Sequence, residues 1–159
     1  MADYKHPMID AYEGTTGAVA VTSGNVKAQG SVAILHWAKT AAQTDGDQIF
    51  LMPVRSSDRI TGIYIQNDAL TGATDVNIGL YDTDEVDVDE NLFADAVNIA
   101  SGATSWTQID AIAPENNGKP IWALLGGTEP EDKTYYLALN LVTAGTAAGD
   151  VVIRVDFAV

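Results

Sequence analysis

The chain contains no cysteine. Disulfides, a thiolate nucleophile and any cysteine-ligated zinc or iron–sulfur site are therefore excluded, and nothing in the chain calls for an oxidising compartment. Histidine is nearly as scarce, with two in 159 residues. These are His6 and His36, too far apart in sequence to form a helical metal-binding pair. Cations are few as well: eight Lys and Arg stand against 22 Asp and Glu, a net charge of −14 at pH 7. No Lys, Arg or His occurs from Ile60 to Gly118. With no basic cluster to offset that charge, nucleic acid and anionic membrane surfaces are poor partners. No apolar run approaches the ~20 residues of a membrane-spanning helix. The opening MADYKHPMIDAYEG lacks a basic start followed by an apolar stretch, so the expectation is a soluble protein made in the cytoplasm, without a signal peptide.

What is present is a two-residue rhythm. RITGIYIQ places Ile63 and Ile65 on one side, and VNIGLYDTD does the same with Val76, Ile78 and Leu80. Strands with one buried face need this period, because successive side chains leave opposite faces of a sheet. Between the two runs lies NDALTGATD, whose Asn, Asp, Gly and Thr suit a turn. The rhythm recurs elsewhere. SVAILHWAK splits into Val32, Ile34 and His36 against Ala33, Leu35 and Trp37. In TYYLALNLV, Tyr135, Leu137, Leu139 and Leu141 share a face. VVIRVDFAV puts Val151, Ile153, Val155 and Phe157 inside, with Arg154 and Asp156 outside. QIFLMPV and PIWALL (Pro120–Leu125) are apolar runs read as strands, and Asp45-Gly46 is a turn signal. One helix is predicted, over DENLFADAV (Asp89–Val97), where Leu92, Phe93 and Ala96 fall at helical spacing behind acidic residues. Seven to nine strands and almost no helix predict an all-β fold, an antiparallel β-sandwich or a barrel, over 31–159. Residues 1–30 are small and polar. Two readings stand for them: an extended N-terminal arm, or a first hairpin turning at Ser23–Asn25. If they form an arm, removing them leaves the β-body folded and weakens assembly.

Little here points to chemistry. No nucleophile elbow or phosphate-binding glycine loop occurs, and His36 beside Trp37 reads as a strand residue rather than a base. Glycoside hydrolysis needs two acids across a cleft, and no spacing singles out a pair. The sharpest candidate site is DTDEVDVDE, in which Asp82, Asp84, Asp87 and Asp89 are hard oxygen donors of the kind calcium takes. The run lacks the glycine and terminal glutamate of an EF-hand loop. A solvated acidic loop is the simpler reading, and no other cofactor is implied. Of the three tryptophans, Trp37 and Trp122 sit in apolar runs and read as core. Trp106, between Ser and Thr, is the one suited to exposure and to stacking on a sugar.

The string from Arg59 to Asp84, with ITGIYIQNDAL and DVNIGLYDTD, is followed by LFADAV and SGATSW. The chain closes on TYYLALNLVTAGTAAGDVVIRVDF. Over residues 48–159 this resembles the capsid decoration (cement) proteins and related small virion proteins of tailed bacteriophages. The resemblance implies a jelly-roll-like sandwich that carries no catalytic residues. It implies binding to the outer surface of an icosahedral shell, with the major capsid protein and copies of itself as partners, often as a homotrimer. The rival reading is a carbohydrate-binding β-sandwich module, or a fibre or spike component that meets the host; a small hydrolase comes third.

Overall fold

The computed structural model describes residues 3–5, 32–70, 72, 74–128, 130 and 132–158. Nine strands and one helical turn make up the described chain: β1 (Asp3–Lys5), β2 (Val32–Lys39), β3 (Gln48–Arg55), β4 (Ile60–Asn67), β5 (Asp75–Tyr81), β6 (Asp87–Asn98), β7 (Ala103–Gln108), α1 (Ile121–Leu124), β8 (Thr134–Thr143) and β9 (Gly149–Phe157). They form two sheets, ordered β1-β3-β8-β5-β6 and β2-β9-β4-β7. The pairs β2·β9, β3·β8, β4·β7 and β5·β6 nest inside one another like a long hairpin, and β9·β4 and β8·β5 join them side by side. All of these are antiparallel; only the short β1 runs parallel, to β3. A nested hairpin rolled into two four-stranded sheets is a jelly roll, so the predicted β-sandwich is the fold observed.

The alternating residues supply the core. Ala33, Leu35 and Trp37 of β2, Ile63 and Ile65 of β4, Leu137, Leu139 and Leu141 of β8, and Val151, Ile153 and Val155 of β9 are buried in one hydrophobic cluster between the sheets. Lys39 ends β2 and is buried too. Its Nζ donates to the carbonyls of Ala147 (2.8 Å) and Gly145 (3.3 Å), pinning the β8–β9 turn. Burial pulls this lysine's pKa below its ordinary value.

Two predicted elements differ. DENLFADAV is not a helix but the middle of β6. Between the pairs Ile78–Ala94 and Leu80–Asp89, the single residue Gly79 of β5 faces four residues of β6, and a second irregularity follows between Val76 and Ile78. These bulges put Phe93 and Ala94 in the core together. That breaks the two-residue rhythm and imitates helical spacing. The bulged backbone is satisfied from outside its own ladder. Asn77 Oδ1 accepts from Ala96 N–H (2.7 Å), and Ala111 N–H donates to Phe93 O (2.7 Å). PIWALL, read as a strand, holds α1 instead. Ile121 N–H and Trp122 N–H donate to Asp58 O (2.9 Å) and Ser56 O (3.0 Å) in the turn after β3. Those amides are thereby withdrawn from any ladder. Leu124 and Leu125 then close one helical turn onto Pro120 and Ile121, and Gly126, at φ 78°, ends it. Ile121 is buried in the core and Leu124 and Leu125 pack against it, whereas Trp122 is half-buried rather than enclosed. The predicted arm or hairpin lies outside the described residues, apart from Asp3–Lys5.

The five-stranded sheet also buries its outer face. Side by side across β3, β8 and β5 run the rows Phe50–Ala138–Gly79 and Pro53–Tyr136–Tyr81. All six residues are buried, and Phe50, Tyr81, Tyr136 and Ala138 form a second cluster separate from the core. The Phe50 ring meets Tyr81 and Tyr136 edge to face, with centroids 5.5 and 5.8 Å apart.

Candidate interaction surface

The acid run is divided between a turn and a strand. Asp82 follows β5 and organises the β5–β6 turn: its Oδ1 accepts from the amides of Asp84 and Val86, both at 2.9 Å. Its backbone closes the turn through Asp82 N–H to Val86 O and Glu85 N–H to Asp82 O, with Glu85 at φ 63°. Asp87 and Asp89 lie beyond the turn in β6. Among the described residues, no group of three or more His, Asp or Glu side chains converges to hold a metal ion. Calcium titrated into the protein is therefore expected to release no stoichiometric heat and to leave the melting temperature unchanged. Saturable heat abolished by chelator would restore the ligand reading.

The other aspartates follow the same pattern. Asp45, Asp47, Asp58, Asp68 and Asp110 each accept a backbone amide, from Ala144, Thr44, Arg55, Asp150 and Ile63 respectively, at 2.6–3.0 Å. Much of the negative charge thus serves as acceptors at turns and strand ends, where a carboxylate satisfies an amide the ladder leaves over.

Asp87 titrates above the ordinary aspartate value. Partial desolvation is the first cause, and repulsion from Glu90 and Asp89 adds to it. A folded-state pKa above the unfolded one means the native chain holds the proton longer. Stability then falls as pH rises through that interval. The Asp87→Asn variant is expected to lose this slope, seen as urea midpoints that no longer drop as the pH rises past the ordinary aspartate value. An unchanged slope would assign it to other carboxylates.

A groove of about 200 Å³, between the end of β6 and β7, is lined by no ionisable side chain. A wider one of about 410 Å³ carries the carboxylates of Asp68 and Asp150, and Asp68 accepts from the Asp150 amide at 3.0 Å. His36 lies on the solvent face of β2, 3.5 Å from Asp150, with both side chains more than half exposed. The ring and its carboxylate neighbour both stand open to water.

The outer face of the four-stranded sheet is the accessible one. Across it, Ile34 of β2, Arg154 of β9, Tyr64 of β4 and Gln108 of β7 form one row. Ile34 is 62% exposed and its neighbour Val32 37%. Arg154 stands in the middle. Its Nε and an η nitrogen clamp the two oxygens of Asp156 at 2.8 Å each, and its guanidinium sits 5.1 Å from the Tyr64 ring centroid. The hydrogen bond to Asp156 raises its already high pKa further. β7, at one edge, is exposed from Thr104 to Gln108, including Trp106 as its sequence context predicts. At the other edge, β2 pairs only with β9 among the described residues.

Solved phage capsids contain the same fold. The chain superposes on one from the capsid of Ralstonia phage GP4 with a TM-score of 0.62 and 14% identity, covering 98% of this chain and 97% of that one. It also superposes on a chain in the capsid asymmetric unit of cyanophage Pam1, with a TM-score of 0.52 and 17% identity, over 79% and 81% of the two chains. At such identities the likeness establishes the fold. No protein-family model and no curated protein sequence matches the chain.

Of the three tryptophans, Trp37 is buried, Trp122 half-buried and Trp106 exposed. The Ile34–Arg154–Tyr64 row was missed. Its signal was present in SVAILHWAK, where Val32 and Ile34 sit at the outward positions of a strand whose inward positions are already apolar.

Proposed function

We propose that this protein is a non-enzymatic virion component that decorates and stabilises a phage capsid from outside, through contact with the major capsid protein and with copies of itself as a trimer. The observation that carries the reading is the end-to-end match of its jelly roll to a chain in a phage capsid, at 97% coverage of that chain. The sequence resemblance to decoration proteins points the same way, as does a face bearing exposed Val32 and Ile34 beside half-buried Arg154. Many copies on a symmetric shell multiply a weak single contact. The acidic remainder of the surface keeps free copies soluble.

Light scattering on the purified protein is expected to give three times the 16.8 kDa chain mass. Cryo-electron microscopy of the native particle is expected to place it on the outer shell. A monomer that binds a glycan array, with signal lost on Trp106→Ala, would favour the carbohydrate-binding alternative instead. The exposed row gives a sharper test. The Ile34→Glu variant is expected to keep its melting temperature, because Ile34 is 62% exposed on the outer face. It is expected to bind shells at least about tenfold more weakly, a loss on the order of 1.4 kcal/mol. Undiminished binding would remove this face from the contact.

A further inference from the structure

Few cations stand against the 22 acids of this chain, and the fold gathers three of them at one end of the sandwich. Arg55 and Arg59 flank the turn between β3 and β4, which Asp58 N–H closes onto Arg55 O at 2.9 Å. Arg59 reaches from that turn to the loop before α1. Its η nitrogen donates to Gly118 O at 2.8 Å, which sets Lys119 beside it. All three side chains are exposed, and none has a carboxylate partner among the described residues. Asp58 spends an oxygen on the Arg55 amide at 2.6 Å. Lys133 adjoins the same turn, with Ser56 N–H donating to its carbonyl at 2.8 Å and exposed Asp132 next to it. Register puts the acidic run at this end too. Arg55 pairs with Thr134 of β8, and Tyr136, two residues on, pairs with Tyr81 of β5. The turn after Tyr81 therefore leaves β5 two strands from Arg55, ~10 Å away at ~4.8 Å per strand. Asp84 and Asp87 are exposed there. The ion pairs found between described residues, His36–Asp150 and Arg154–Asp156, lie on the outer face of the other sheet and join none of these groups.

We propose that this end is a contact between copies of the chain, with Arg55, Arg59 and Lys119 of one copy set against Asp84 and Asp87 of the next. Charge complementarity selects the occupant. Copies of net charge −14 repel one another at most orientations. An end that carries exposed cations over β3 and β4, and exposed acids beyond β5, is where repulsion turns to attraction. The side-by-side placement matters as well. Rotation about an axis along the strands carries the acidic patch of one copy towards the basic patch of its neighbour, a heterologous contact that can close into a ring. A single exposed ion pair contributes little, so the contact depends on several pairs acting together and on their repetition around the ring. Such pairing fixes register and partner more than it adds strength. The inference rests on the reading of this protein as one that associates with copies of itself.

The test is a charge swap on the full-length protein, read as mass by light scattering. At low salt the parent is expected to be an oligomer. In ~1 M salt, where charges act over only ~3 Å, its mass is expected to fall towards the 16.8 kDa of one chain. Arg55→Glu with Lys119→Glu, and separately Asp84→Lys with Asp87→Lys, should each give single chains at low salt. The two pairs of changes combined in one chain should restore the oligomer. The combined chain has the parent's net charge of −14, so regained mass reports where the charges stand and not how many there are. The parent's own response to salt needs no substitution and guards against a variant that fails to fold. A parent already single at low salt, a mass indifferent to salt, a reversal without effect, or a combined chain that stays single would each overturn the contact. Reversals that spare the oligomer but abolish binding to shells would give this end to the shell and overturn it too. An oligomer intact in every variant defeats this contact and leaves the virion reading standing. Absence of the protein from the native particle defeats that reading and leaves the swap result standing.

Discussion

Leu139→Ala is expected to destabilise the protein by about 2–5 kcal/mol, the range for a leucine truncated to leave a cavity in a close-packed core. Leu139 is 0% exposed and occupies the middle of β8, the strand flanked by β3 and β5. Its register partners are Ile49 on one side and Ile78 on the other, both in the same cluster. A side chain hemmed in by two strands of its own sheet has little freedom to be replaced by local collapse, since ladders on both sides fix its neighbours. The upper half of the range is therefore the expectation. Urea unfolding should report it as a lower midpoint with an unchanged slope, the sign of altered stability without altered compactness. Because β8 also carries the outer rows on its other face, the loss should loosen both clusters. A change within experimental error would mean that the two faces of β8 are assigned the wrong way round.

Where one face is buried and the other wet, alternation in the sequence named the buried side correctly. β9 is the clearest case: Val151, Ile153, Val155 and Phe157 are buried, while Val152, Arg154 and Asp156 are half-buried outside. β2 follows the same rule. Where both faces are covered the rhythm disappears, and QIFLMPV and TYYLALNLV are apolar at both parities for that reason. Phe50 and Tyr136 thus carried a legible sign of a second buried face. β6 defeated the periodicity because its bulges add residues that a strand template does not count, and Leu92, Phe93 and Ala96 then mimic a helix. PIWALL is too short for length to arbitrate between strand and helix. The acid run is ambiguous in another way. Spacing alone does not tell a metal ligand from a carboxylate that holds its own turn together, and Asp82 does the latter.

Gly79→Ala is expected to cost at least about 1–3 kcal/mol, the range for forcing atoms into a packed interior. The reason is occupancy, not backbone freedom. Ile78 and Leu80 point into the core, so a Cβ at position 79 would point to the outer face. There it would land on Asp89 O and on the carbonyl group of Glu90, closer than real Cβ atoms come. Those are main-chain atoms in a bulge tied down by Ala111 N–H at Phe93 O and by Asn140 at Glu90, so no flexible side chain can yield. To admit the methyl group, β6 has to lift from β5, which would uncover Tyr81 and strain the ladder on which Phe93 depends. Gly126 is the control. It has a left-handed φ of 78° but open space around it, so Gly126→Ala should cost only the conformational penalty of about 1–2 kcal/mol and leave β6 untouched. Amide chemical shifts separate the two. Gly79→Ala should move residues 87–94 and the Asn140 side-chain amide, whereas Gly126→Ala should move only the neighbourhood of α1. If Gly79→Ala were as stable as the parent with β6 shifts unchanged, β6 could not be crossing over Gly79, and the bulge that buries Phe93 would need a different path.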